Sequence, residues 1–159
     1  MVARSVCPPR GEAVSSTAEG TIRRMIDLMP AKDTNTVADL WAPDGTAAFP
    51  FAAGTSPRPL RGREEVRTYL PHCPEPMDLQ EVAALTLRPT DHTDTVVVEW
   101  TAVGRTVATS RPYRLDHTVV LTGRDGLIAP FRDHRSPLSA AAAAGGLTAL
   151  IDSVDGTGA

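Results

Sequence analysis

The sequence predicts an α+β domain in which a curved antiparallel sheet wraps around N-terminal helices, forming a cone with an apolar pocket. Helical periodicity is confined to the chain before Pro71 and the stretch after Ser136. Strand-like runs fill the interval from Leu79 to His134, and turn-forming residues separate them at hairpin spacing. Helices followed by a run of strands, rather than alternation of the two, is the α+β signature. The chain has 159 residues, enough for one domain with a single core.

Residues 1–15, with Pro8-Pro9 and Gly11, read as a disordered leader, 16–151 as the single domain and 152–159 as a flexible tail. Ser16-Thr17-Ala18-Glu19 has the form of a capping box. Ile22, Met25, Ile26 and Met29 follow at i, i+3, i+4 and i+7, so one helix face is buried, and Pro30 stops the helix. A second short helix places Val37, Leu40 and Trp41 on one face, and Asp44-Gly45 turns the chain into a strand over Thr46–Phe51. Ala53 to Pro59 is loop. A third helix opens at Arg61-Gly62-Arg63-Glu64-Glu65-Val66, turns Val66, Tyr69 and Leu70 inward, and ends at Pro71, Pro74 and Pro76.

Four strands are expected over Leu79–Arg88, Thr95–Val107, Arg111–Leu121 and Leu127–His134. Breaks fall at Pro89-Thr90-Asp91, Gly104 and Gly123–Gly126; Asp125-Gly126 is a tight hairpin pair. Ser136 and Pro137 then cap and begin a helix through the run Ala140–Ala144, which Gly145-Gly146 loosens.

The formal charge of −3 and pI near 5.8, with bases spread rather than striped and aromatics at 4%, argue against a nucleic-acid partner. No apolar run is long enough for a membrane span, and Met1–Ser16 lacks the apolar stretch of a signal peptide, so a cytoplasmic protein is expected. Cys7 and Cys73 have neither disulfide nor zinc-site spacing. His72, His92, His117 and His134 are scattered without carboxylates at ligand spacing, and the glycines fall at turns, so neither a metal nor a cofactor is expected.

Four sequence words occur in order: Leu60-Arg61-Gly62-Arg63-Glu64-Glu65-Val66, Val96-Val97-Val98-Glu99-Trp100, Arg111-Pro112-Tyr113, and Asp125-Gly126-Leu127-Ile128 leading to Phe131-Arg132-Asp133-His134. With them the chain, from roughly Glu19 to Gly146, resembles the SnoaL-like polyketide cyclases of the nuclear transport factor two-like superfamily. That superfamily also holds limonene epoxide hydrolase, ketosteroid isomerase and phenazine-biosynthesis proteins. The resemblance implies a cystatin-like α+β barrel, a homodimer through the outer sheet face, and a bacterial secondary-metabolism enzyme. Its substrate would be a large apolar polyketide-like intermediate, closed by aldol, epoxide-opening or cycloaddition chemistry. The alternative is a non-catalytic protein that binds or protects a hydrophobic metabolite.

Two branches are disfavoured by their own residues. The epoxide hydrolases' acids match at Glu99 and Asp133, but their arginine position is Val97 and their water-holding positions fall near Phe49 and Phe51. The isomerase's tyrosine, base and oxyanion acid fall on Met25, on Phe49 and near His117.

Side chains alternate along a strand, so inward residues share parity. That places Phe131 and Asp133 inside, with Tyr113, Leu115 and His117 on the preceding strand and Val97 and Glu99 on the one before. The expected pocket has walls of Met25, Trp41, Phe49, Phe51, Tyr69, Val97, Tyr113, Leu115 and Phe131 over a catalytic floor of Glu99, His117 and Asp133. A lone carboxylate there is costly, so one acid should titrate high or pair with His117. Three structural alternatives stand beside this. Asp133 could cap Ser136 or pair with Arg132 or Arg135, His117 could be a satisfied core histidine, and a one-residue slip would make Glu99 a surface ion pair.

Overall fold

The computed structural model describes residues 17–52, 58–72, 76–92 and 94–155. The expected leader, Ser16 of the capping box, both cysteines and most of the loop before Pro59 lie outside these residues. The elements run α1 (Thr17–Leu28), α2 (Thr34–Ala38), β1 (Trp41–Ala48), β2 (Leu60–Arg61) and α3 (Arg63–Tyr69), extended by a 3₁₀ turn. Then come β3 (Met77–Pro89), β4 (Thr95–Thr106), β5 (Pro112–Arg124), β6 (Leu127–Asp133), α4 (Pro137–Ala144) and α5 (Leu147–Asp155). Six strands make one open sheet in the order β2-β1-β6-β5-β4-β3, antiparallel except where β1 lies parallel to β6. The chain is therefore α+β with a curved, unclosed sheet, as its sequence predicts. Among the described residues no helix is long and apolar enough to cross a membrane.

α1 buries Ala18, Ile22, Met25 and Ile26, the face that its periodicity marks. Its first turn is tied down from far away in sequence: the Ala18 N–H donates to Asp94 Oδ1 at 2.8 Å, and the Thr21 hydroxyl donates to the Gly126 carbonyl at 2.9 Å. The helix is thus pinned to the tips of both the β3–β4 and β5–β6 hairpins. In the second of these, Asp125 (φ 54°) and Gly126 (φ 76°) both take positive φ, the requirement of a type I′ turn.

Several boundaries differ from the sequence reading: a short strand, β2, stands at Leu60–Arg61 where the third helix was expected to open, β3 starts earlier, at Met77, and β5 runs on through Gly123 to Arg124. β1 begins at Trp41 and ends at Ala48, so Trp41 leaves the helix face for the sheet, while Phe49 and Phe51 lie beyond the strand. Asp44-Gly45 lies inside this strand, where its register against β6 shifts. A Cβ at Gly45 would stand 2.6 Å from the Ile128 carbonyl oxygen, so close approach to β6, not a turn, is what this glycine serves. Gly104 likewise interrupts nothing: β4 continues through it to Thr106, and the chain reverses over residues 107–111. Finally, α5 follows the left-handed Gly145 (φ 77°) and takes in residues 152–155 of the expected tail.

The core lies on one face of the sheet. Val96, Val98 and Trp100 of β4, Val119 and Leu121 of β5, and Ile128 and Phe131 of β6 pack with α1, Leu40 and Trp41. Further along the same face, Ala102, Tyr113 and Leu115 form a second cluster with Ala143 of α4. The Thr106 hydroxyl donates to the Ala143 carbonyl at 2.6 Å and holds α4 there.

Gly104→Ala tests the close packing of this second cluster. The added methyl would lie 2.1 Å from the Asp78 carbonyl oxygen and 2.8 Å from the Tyr113 hydroxyl, and the backbone of β3 cannot step aside. Overpacking of this kind costs about 1–3 kcal/mol. A clear drop in thermal midpoint is expected; an unchanged midpoint would show that β3 is loose at this point.

Candidate functional site

The pairing of β4, β5 and β6 brings the polar residues together. Trp100 lies opposite His117, and Val119 lies opposite Asp133. Opposed residues share a face and diagonal neighbours are within reach of each other. His117 and Asp133, one step apart on the concave face, therefore meet: Nδ1 and Oδ2 are 3.0 Å apart, with both residues buried. The other carboxylate oxygen accepts the Arg135 backbone N–H at 3.1 Å, and Arg135 Nη1 stands 3.7 Å from Oδ2.

A carboxylate oxygen accepts only, so His117 donates through Nδ1, and its neutral form carries the lone pair on Nε2. The ring plane is fixed by Trp100, stacked at 4.9 Å between centroids and 9° from parallel. The Trp100 indole N–H is itself buried without a hydrogen-bond partner. Position, tautomer and ring orientation of the imidazole are all set from outside it, as a general acid–base group requires.

His117 opens onto a cavity of about 130 Å³. Its lining is apolar, with Leu28 and Met29 from the end of α1, Val37 from α2, Ala102 from β4, and Tyr113 and Leu115 from β5. Arg135 lines it too, as do Lys32, Asp33 and Thr34 from the start of α2 and the connection before it. The Thr36 hydroxyl and N–H both donate to the Asp33 side chain, at 2.6 and 3.1 Å, and hold its carboxyl below the ordinary range. A depressed carboxyl stabilises α2 above its unfolded pKa, and that contribution is lost as pH falls through the folded value. A second cavity of about 310 Å³ lies under α4 and α5, lined by Asp133, Arg135, Phe49, Pro137, Ala140 and Leu150 among others.

The residues expected at the site divide three ways. His117, Tyr113 and Leu115 line the first cavity, and Asp133 and Phe49 the second. Met25, Trp41 and Phe131 are buried core, with the Trp41 and Phe131 rings 5.4 Å apart, and they line neither cavity. Tyr69 packs its ring 5.6 Å from Phe49, outside both cavities. Phe51 is 59% exposed and meets His134 edge-on.

Val97 and Glu99 do not face inward. Glu99 pairs with Thr118 in the sheet, on the convex side, and bonds Arg88 at 3.1 Å with nearly half its side chain exposed. The even-numbered residues from Val96 to Trp100 turn inward instead. Trp100 and Arg135 were not among the expected site residues, although Arg135 was named as an alternative partner of Asp133. Trp100 could have been found from His117 by pairing, had the β4 register been right. Arg135 lies past the end of β6, where strand parity says nothing.

Among the described residues no three His, Cys, Asp or Glu side chains gather as metal ligands would. What the arrangement offers is proton transfer at a fixed imidazole in an apolar chamber.

Known proteins share this architecture. The SnoaL-like domain matches residues 22–131. The uncharacterized protein YesE of Bacillus subtilis (strain 168) is 30% identical over 126 residues, which is 79% of this chain and 86% of its own. A crystal structure from Bacillus subtilis, described as a "putative isomerase", superposes with a TM-score of 0.77 at 30% identity, covering 82% of this chain and 94% of that one. A "putative polyketide cyclase" from Xanthomonas campestris pv. campestris gives a TM-score of 0.67 at 16% identity, over 80% of this chain and 96% of its own, a likeness of fold. The open six-stranded sheet with helices in its concavity is the nuclear transport factor two-like fold, and the chain belongs to the SnoaL-like domain family.

Proposed function

We propose that this protein is a cofactor-independent isomerase or cyclase that moves a proton on an apolar, carbonyl-bearing small molecule. The observation that carries the reading is the Asp133–His117 pair at a mostly apolar cavity. His117 Nε2 takes a proton from the carbon beside the carbonyl. Asp133, bonded to Nδ1, holds the ring and stabilises the imidazolium that forms, acting as a positioning residue. The same nitrogen then returns the proton, to another carbon in an isomerisation or to the new alkoxide in an aldol closure.

A cavity of about 130 Å³ suits one ring, since a void on the order of 150 Å³ accommodates benzene. A polyketide-like substrate would place its reacting ring there and extend the rest past Arg135. The isomerase and polyketide cyclase descriptions of solved relatives support this class of reaction. The rival reading is a binding or protection protein, favoured by the sparsity of polar groups in the same cavity.

Cyclohexanone, which has the size of one ring, discriminates. Exchange of its α-protons in D₂O, followed by NMR, should be accelerated by the protein. His117→Gln should slow that exchange by about 10² or more, the usual share of a general base. Glu99→Gln, on the convex face, should leave it unchanged. A His117→Gln protein as fast as the original would remove the base from the mechanism. A native protein that binds cyclohexanone without exchanging its protons would favour the carrier. The physiological substrate follows from deleting the gene and identifying the metabolite that accumulates.

Asp133→Asn should lower exchange much more than it lowers stability. Losing one partner of a buried hydrogen bond costs about 1–3 kcal/mol, visible as a modest fall in thermal midpoint. Full exchange activity in Asp133→Asn would make Asp133 structural only.

A further inference from the structure

We propose that the Lys32–Asp78 ion pair is a gate: it straps the mouth of the chamber that His117 lines, and a ligand enters or leaves when the pair opens. This rests on the chamber being a ligand site, as proposed above, and not on His117 acting as a base.

Burial along the lining locates the mouth. Ala102, Leu115 and His117, on β4 and β5, are buried at the inner end. Met77 and Leu79 of β3 are half-buried, and Lys32 and Asp33 are exposed. Exposure of the lining therefore rises toward β3, the last strand of the sheet, and toward the connection between α1 and α2.

Lys32 bridges these two borders. It stands in the α1–α2 connection and lines the chamber, and its Nζ lies 2.5 Å from Oδ1 of Asp78. Asp78 sits between Met77 and Leu79, which both line the chamber, so the lysine stem runs from one side of the mouth to the other. The lysine holds the Asp78 carboxyl below its ordinary range, and the Gln80 amide donates to the other oxygen at 3.5 Å.

The two ends of the strap are held differently. Asp78 is a fixed post. Its backbone pairs with Arg105, and its carbonyl oxygen lies so near β4 that a Cβ on Gly104 would stand 2.1 Å from it. Lys32 is the arm. Its backbone takes φ 58°, a left-handed conformation that glycine holds without the steric cost a lysine carries. What lysine brings to that position is a long stem with a charged end. Both side chains are partly in water, 53% and 38% exposed, and ion pairs so placed are weak enough to open and re-form.

Fluorobenzene, a neutral molecule of one ring, is the probe, with association and dissociation rates read from ¹⁹F NMR line shapes at low salt. Asp78→Asn keeps the shape of the post without its charge, and Lys32→Met keeps the stem without the amine. Each should speed association and dissociation together by about threefold to fivefold, which is what an exposed ion pair can hold back. The dissociation constant should stay within about twofold, because a gate alters passage and not the bound state. Raising salt to about 1 M should speed the native protein in the same way and leave the two variants as they are. Exchanging the charges, Lys32→Asp with Asp78→Lys, should restore slow passage. Glu99→Gln, which breaks a comparably exposed pair on the convex face, should change neither rate.

Rates unchanged in both single variants overturn the gate, as does a native protein that binds no fluorobenzene. Weaker binding through faster dissociation alone overturns it too, since the pair would then shape the site. Should a variant fail to fold, the salt response of the native protein still decides. His117→Gln should lose ketone exchange and keep the gated rates. Ketone exchange with ungated fluorobenzene sinks the gate alone, whereas gated binding without exchange sinks the general base and leaves a gated binding pocket.

Discussion

The pairing of Trp100 with His117 across β4 and β5 decides which side chains reach the concavity, and the rest of the molecule depends on it. A slip of one residue would carry Val96, Val98 and Trp100 to the convex face and bring Val97 and Glu99 inside. The slip is prevented by the loss it entails: Val96 and Val98 are fully buried against α1, and each such side chain is worth about 1.5–3 kcal/mol out of water. The burial that stabilises the sheet is thus the same constraint that aligns an indole with an imidazole. Stability and site geometry here have one origin.

Within that frame the polar residues form a connected set. Asp133 takes hydrogen bonds from two directions, His117 gives its Nδ1–H to the pair, and Arg135 stands close enough to balance charge. Buried polar groups are tolerable when each has partners and destabilising when one is removed. The set also has a fixed sequence spacing: Asp133 ends β6, and Arg135 follows it before the Ser136 cap of α4, whose side chain accepts the Ser139 N–H at 3.2 Å. The start of α4 therefore anchors the segment that carries the guanidinium. Ser136 caps α4 while Asp133 bonds His117 and the Arg135 N–H, so the alternative in which Asp133 caps Ser136 gives way to a division of labour between neighbours.

What could be read in the chain and what could not follows from the range of the interactions. The four long strands, the Asp125-Gly126 turn and the inward parity of Tyr113, Leu115, His117, Phe131 and Asp133 are local matters of alternation and turn chemistry, and they were legible. The parity of β4 was not, because Val96-Val97-Val98 is apolar at three successive positions and alternation gives no sign there. The cap of α1 by Asp94 spans 76 residues and has no local signature. Gly45 and Gly104 look like turn residues in sequence, yet each is a place where another backbone passes too close for a Cβ. The partial pairing of Asp133 with Arg135 was among the structural alternatives. That pairing turns out to coexist with the bond to His117 rather than to replace it.

The division of the concavity into two chambers bears on how shape and chemistry share the work. α1 covers one end of the sheet and α4 the other, and the small chamber sits between them, too small to fold a large molecule by itself. On the proposed reading, holding one ring against a fixed imidazole would convert a bimolecular proton transfer into an effectively unimolecular one, which can supply several kcal/mol. The larger chamber under α4 and α5 adds room without adding a second base: Asp133 faces it, but with both oxygens already engaged. On the proposed reading, proton transfer belongs to the chamber that His117 lines, and the rest of a longer substrate would be selected by shape. Arg135 borders both chambers, so the segment between β6 and α4 is the part of the chain that the two have in common.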